Sequence, residues 1–326
     1  MAEKGCSDRP KDITQDREQL FRELRSEVKA RRKEKNKRKK ALSLVFIIIL
    51  AICFALTFVP KQTVYPAEGE LQVHFIDVGQ GDCIYIAAGE QNMLIDCGEA
   101  EESVKAISCL HDMGVRHLDL IVGTHPHSDH MGGMDRVIES FEIGKCIIPH
   151  LDDEDIPTGS YFMRFLDAAE EHGVKLEEAV TGSKFTVGDA HCEIVAPNSS
   201  SYDDINNYSI GIVLRHGNES FIFTGDAEGV AEQEMLDGGH LGKMNVYKVG
   251  HHGSSSSSTA DFLSVIRPDI AVIPCGAGNS YGHPSDAVIR RLSVYTDNIY
   301  RTDLCGNIVI TSDGSSLRVS AERRSR

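Results

Sequence analysis

The chain has 326 residues, enough for one large domain or two small ones. Hydrophobic residues make up 41% and charged residues 25%, which suits a packed core and excludes a largely disordered chain; the absence of Trp and only 6% aromatics argue against a surface built for base stacking. Residues 1–40 carry 15 Lys/Arg and 8 Asp/Glu, net +7, and of the 34 basic and 49 acidic residues in the whole chain that leaves 19 and 41 for the rest, net −22. A domain this acidic has no bulk attraction for a polyanion, so any nucleic-acid contact must rest on a local patch or on metal.

In chain order, residues 1–40 form a charged segment ending in Arg31–Lys40, which holds eight bases and one acid. Leu20, Phe21, Leu24 and Val28 fall at helical spacing within it, so 14–35 could form a helix, but a solvated charged tail is the favoured reading. Ala41–Pro60 is uncharged over 20 residues, which at about 1.5 Å rise per residue spans roughly 30 Å, the hydrocarbon thickness of a bilayer. A cleavable signal peptide competes with this reading, but the long N-terminal segment and the lack of a clean small-residue cleavage site favour one uncleaved transmembrane helix. The basic flank predicts a cytoplasmic N-terminus, with everything past residue 60 extracytoplasmic.

Residues 61–70 read as a linker, and the domain proper as 71–320, followed by a 321–326 tail. Strands are predicted at 71–77, 83–88, 93–96, 118–124 and 146–149, with helices at 101–113, 131–141 and 161–172 between and after them. Further strands are predicted near 184–187, 191–196, 209–216, 219–224, 245–249 and 269–274. Helices fall at 230–236, 259–266 and 285–295, and closing strands at 298–301, 307–311 and 316–320. Such mixing of strands and helices predicts a layered α/β fold. Nine widely scattered cysteines without a CxxC pair indicate buried free thiols, neither a disulfide framework nor a zinc knuckle.

The chemistry concentrates at Thr124–His130, THPHSDH, between a buried strand and a helix. Three imidazoles and a carboxylate in six residues suit a divalent metal: alternation puts His125 and His127 on one side, leaving Asp129 and His130 for a second ion. Asp96 and Asp226 each end a strand, where a buried carboxylate is costly unless paired or metal-bound. Asp77, Gln80 and Asp82 sit in a tight turn that contains Gly79 and Gly81, lining the site or only bonding the turn. Ser254–Ser258 reads as a flexible loop.

The H-x-H-x-D-H run resembles the signature of the metallo-β-lactamase superfamily. Further stretches, HFIDVGQGD (74–82), LIDCGE (94–99), NNYSIGIVLR (206–215), FTGDAE (223–228), KVGHHGS (248–254) and NSYGHP (279–284), are similar to the extracytoplasmic hydrolase domain of ComEC-type DNA-uptake proteins. The likeness covers 71–312 without the many-helix channel region of those proteins. It implies an αββα sandwich of two mixed sheets flanked by helices, and two divalent ions, Zn²⁺ or Mn²⁺. His125 and His127 would hold the first ion, and Asp129, His130 and His251 the second, with Asp226 bridging and Asp96 supporting. His252 is the alternative to His251, while His283, beside Tyr281, is a candidate proton donor or phosphate contact. Family members often carry a His where this chain has Asn206 and Asn207, so Asn206 becomes the candidate oxygen donor for the first ion, a weaker one than imidazole. Paired metals acidify a bound water and stabilise charge on the attacked centre, so Asp129, Asp226 and His283 are the expected catalytic set. The resemblance implies a phosphodiesterase or nuclease acting on extracellular DNA, beside a separate channel partner. Hydrolysis of a cell-wall phosphodiester or a lactam, and a non-catalytic accessory domain, stand as alternatives.

Overall fold

The computed structural model describes residues 13–57, 65–152 and 154–323. Two compact units result, Met1–Pro60 and Lys61–Arg326. In the first, helix α1 (Ile13–Thr57) runs unbroken through the basic segment and through residues 41–57 of the apolar one. Leu42 and Leu44 through Leu50 expose their apolar side chains on it. The span expected at 41–60 falls in part outside the described residues, and among the described residues no helix is long and apolar enough to cross a membrane.

The second unit contains two sheets. The first receives β1 (Leu71–Phe75), β2 (Ile84–Ala88), β3 (Gln91–Ile95), β4 (His117–Val122), β5 (Glu142–Ile148) and β6 (Lys175–Glu178). The chain then builds the second sheet from β7 (Lys184–Val187), β8 (Ala190–Ala196), β9 (Gly211–His216), β10 (Glu219–Phe223), β11 (Val246–Lys248), β12 (Ile270–Ile273) and β13 (Ile299–Arg301). It returns to the first with β14 (Ile308–Ser312) and β15 (Leu317–Ala321), giving the orders β15-β14-β1-β2-β3-β4-β5-β6 and β13-β12-β11-β10-β9-β8-β7. Both are mixed: β3 to β6 and β10 to β13 run parallel, their other neighbours antiparallel.

The layering follows from which faces are apolar. In β1 the pattern LQVHF alternates, burying Leu71, Val73 and Phe75. These pack with Ile308 and Ile310 against Ile212, Leu214, Phe221 and Phe223 between the sheets. β3, β4 and β10 bury both faces, because helices cover the outer ones. Helices α2 (Ser103–Asp112), α4 (Met134–Ser140) and α5 (Ser160–Glu171) place Ala106, Leu110, Val137 and Phe165 over the first sheet. On the second, α6 (Gly229–Asp237), α7 (Ala260–Ile266) and α8 (Asp286–Leu292) place Met235, Phe262, Leu263 and Leu292. The result is the αββα sandwich.

Three local features differ from expectation. The helix expected at 131–141 is two, α3 (Ser128–Met131) and α4, parted at Gly132-Gly133; a Cβ on Gly133 would lie 2.1 Å from that of Ser103. β6 was missed, because KLEE is too polar to read as a strand. The serine run is pinned: Ser257 and Ser258 are fully buried. Buried Glu232 accepts from the Ser258 and Thr259 N–H groups at 2.5 and 2.8 Å, and Arg291 donates to the Ser257 carbonyl at 2.9 Å. All seven cysteines between Cys83 and Cys305 are unpaired, six of them buried. A last short helix, α9 (Thr302–Cys305), links β13 to β14.

Candidate metal centre

The chemistry-bearing residues follow the carboxyl ends of parallel strands in both sheets, where an α/β fold opens its crevice. Ile95 pairs with Val122, so Asp96 after β3 and Thr124-His125 after β4 emerge side by side. Phe223 pairs with Lys248, which brings Asp226 after β10 beside His251-His252 after β11. The Gly79–Gly81 turn brings Asp82 to Asp96 and His130; a Cβ on Gly81 (φ +134°) would lie 2.2 Å from the Asp129 carbonyl, so only glycine fits there.

Asp96, itself left-handed at φ +56°, organises the H-x-H-x-D-H loop. Its carboxylate accepts from Thr124 N at 2.8 Å and Thr124 Oγ1 at 2.7 Å, and holds His130 Nδ1 at 2.7 Å. That turns His130 Nε2 toward Asp226 Oδ2, 3.1 Å away. His252 is held the same way: Nδ1 faces the Pro274 carbonyl at 3.0 Å and Asp82 Oδ1 at 3.4 Å, and Nε2 lies 3.2 Å from Asp129 Oδ2 and 3.4 Å from Asp226 Oδ2. A partner on one ring nitrogen that aims the other is the usual support of a metal-binding histidine. Asp129, His130, Asp226 and His252 accordingly converge, one donor atom of each lying within 4.8 Å of the others.

Two observations show that this donor set fits a divalent cation. First, His130 Nε2, His252 Nε2 and Asp226 Oδ1 are buried without a well-formed hydrogen bond; the two imidazole nitrogens meet only carboxylate oxygens at 3.1 to 3.4 Å, the arrangement of donors aimed at a shared cation. Second, Asp82, Asp96, Asp129 and Asp226 all crowd around His130 and His252, and the one buried ammonium among them, that of Lys248, meets only Asp82 and Asp226. Burial opposes ionisation of Asp129, but His130 and His252 hold its carboxyl well below the usual range, and Asp226 is depressed in the same way. Burial disfavours protonated His130 and His252, yet the carboxylates, Asp226 foremost, raise both well above an ordinary histidine. The cluster thus demands positive charge.

The expected residues distribute as follows. His125 is buried, its Nε2 3.0 Å from His127 Nδ1 and its ring 4.2 Å from that of His130. His127 lines the pocket that opens over Asp129 and Asp226, as do Gln80, Tyr281 and His283. His251 sits at the edge: Nε2 is 3.7 Å from Asp226 Oδ2, and Nδ1 turns to Glu228 at 3.2 Å. Both His251 (φ +48°) and His252 (φ +51°) are left-handed, a strain on the order of 1–3 kcal/mol each of the kind that persists at functional sites. Tyr281 is exposed and stacks on His283, whose Nδ1 is buried without a partner. Asn206 is buried with its Oδ1 unpartnered, while the Asn207 carbonyl oxygen accepts from Glu228 N. Asp77 faces away, accepting from Gly79 N and pairing with Arg323. Sequence reasoning missed Lys248, fully buried at the end of β11 and paired with Asp82; a lysine in a strand end reads as surface.

Two layered sheets with a His/Asp cluster at their strand ends define a metal-dependent hydrolase. The chain belongs to the metallo-β-lactamase superfamily, whose family model matches residues 76–277. It is 30% identical over 264 residues to ComE operon protein 3 of Bacillus subtilis, covering 75% of this chain and 34% of that one. It is 28% identical to Recombination protein 2 of Haemophilus influenzae (84% and 32% covered) and 30% identical to Competence protein ComA of Neisseria gonorrhoeae (73% and 32%). The chain thus spans about a third of the length of the curated relatives it matches. Among solved structures, a mutant CmlA β-hydroxylase aligns over 75% of this chain and 54% of its own, with a TM-score of 0.50 and 13% identity, a likeness of fold alone.

Proposed function

We propose that this chain is a membrane-anchored, divalent-metal-dependent phosphodiesterase that cuts nucleic acid outside the membrane, as a counterpart of the hydrolase domain in competence proteins. The observation that carries the hydrolytic part is the convergence of Asp129, His130, Asp226 and His252, with buried unpartnered atoms, beneath an open pocket. The nucleic-acid part is supported by similarity to proteins named for competence and recombination.

His252, rather than His251, completes the ligand group with Asp129, His130 and Asp226. His125 and His127 border the neighbouring position for a second ion, toward which Asn206 offers a neutral oxygen. Zn²⁺ and Mn²⁺ both suit such a mixed nitrogen and oxygen set. When bound, the metal supplies Lewis acidity toward water and the phosphoryl group. The protein's own groups do the rest. Asp96 and Asp82 aim the imidazoles, His283 stands on the pocket wall where it can hold a proton near the leaving oxygen, and Tyr281 flanks it. Among the described residues no lysine or arginine lines the pocket, so a phosphate there is held by metal and imidazole. The exposed apolar face of α1 beyond Arg31–Lys40 supports the anchor, and the basic flank supports a cytoplasmic N-terminus.

The test is a substrate panel. Detergent-solubilised full-length chain, loaded with Mn²⁺ or Zn²⁺, is assayed on single-stranded DNA, duplex DNA, bis(p-nitrophenyl) phosphate and a chromogenic β-lactam. Turnover of DNA and the simple diester, with the lactam untouched, supports the reading; turnover of the lactam alone overturns it.

A further inference from the structure

Lys248 ends β11 with its ammonium fully buried under the metal centre. Nζ donates to the Gly225 carbonyl at 2.7 Å, pairs with Asp82, and lies 3.6 Å from Asp226 Oδ1. Asp226 therefore has two differently occupied sides. Its Oδ2 faces His130, His252 and His251 at 3.1, 3.4 and 3.7 Å, while its Oδ1 makes no hydrogen bond and faces the ammonium. The terminal torsion of an aspartate is broad, so the direction of this carboxylate is set by its surroundings. Asp82, on the other side of the ammonium, stands 3.4 Å from His252 Nδ1. One cation thus touches the supports of two ligands from different strand ends. Burying a charged pair costs more than burying apolar side chains of the same size, so a pair that only filled space would be an expensive choice.

We propose that Lys248 is a positioning residue of the metal centre: its ammonium keeps Asp226 Oδ2 turned toward the ion and, through Asp82, steadies His252. The role rests on the metal centre proposed above. The competing account is that Lys248 only neutralises Asp82.

Metal binding to the variants separates the two. Lys248→Gln keeps a donor for the Gly225 carbonyl but removes the charge. Its more negative pocket should attract cations more strongly, so weaker binding there runs against simple electrostatics. Lys248→Met combined with Asp82→Asn removes one positive and one negative charge together, leaving the net charge unchanged and no unpaired buried ion. Metal-stripped, detergent-solubilised full-length chain is titrated calorimetrically with Mn²⁺, and thermal midpoints are read without metal. The role predicts that the double variant melts near the wild type, and that both variants bind Mn²⁺ about tenfold or more weakly, the usual effect of losing a group that orients a ligand. Binding within about threefold of wild type in either folded variant overturns it. A wild-type chain that takes up no metal would bring down the centre and this role together, whereas equal binding by wild type and variants overturns the role alone.

Discussion

The imidazole of His252 stands 3.2 Å from the carboxylate of Asp129, across the gap between the two sheets' strand ends. That contact joins the loop after β4 to the loop after β11, and it distinguishes His252 from its neighbour, whose Nδ1 turns to Glu228. His252→Ala should therefore lower metal affinity by more than the roughly 100-fold typical of supporting groups, while His251→Ala should fall within that range. Metal content after dialysis checks this; the reverse ranking would make His251 the ligand.

The cluster also depends on groups that touch no metal. Asp96→Asn keeps an acceptor for Thr124 but weakens the grip on His130 Nδ1. Metal affinity should fall roughly 10–100-fold. Far-ultraviolet circular dichroism should stay as in the wild type, since the sheets pack elsewhere. Calorimetric titration gives the affinity, and an unchanged value would remove Asp96 from the site.

Much of this architecture was legible because its signals are local. Alternation in LQVHF marks β1 as half-buried, and the run DLIV marks β4 as fully covered. The H-x-H-x-D-H spacing is dense enough to announce a metal loop, and family resemblance supplied Asp226. What escaped depends on distant partners. The proposed preference for His252 over His251 rests on which ring nitrogens face Asp129, Asp226 and Glu228, which no composition reveals. Glu232 and Arg291, far off in sequence, turn a serine run that looks flexible into a fixed loop. Lys248 became visible only once β10 and β11 were aligned.

Acid should remove the contribution of His74 to stability before the carboxylates titrate. Burial lowers the pKa of His74 to about 4 from the usual 6.5. At this residue the unfolded chain takes up a proton first as pH falls, so its contribution to stability is full above about 6.5 and declines toward 4. With the 6.5 and 4 values, linkage puts the loss at about 2 kcal/mol by pH 5. Urea unfolding of wild type and His74→Gln between pH 7 and 5 measures it; equal slopes would assign the loss to other groups.

Because no lysine or arginine lines the pocket among the described residues, substrate binding should release few counterions. KM for an oligonucleotide should rise only weakly with salt, with a log–log slope of roughly one or less. A slope of several would point to a basic tract outside the pocket.

The central claim, a metal-dependent phosphodiesterase built on Asp226 and its neighbours, meets its most direct test in one reconstitution. Full-length chain is stripped with a chelator, then assayed on single-stranded DNA with and without added Mn²⁺ or Zn²⁺, beside Asp226→Asn. The account predicts no cleavage when stripped, recovery on adding metal, and no recovery in the variant. Cleavage that survives the chelator, or equal recovery in Asp226→Asn, would contradict it.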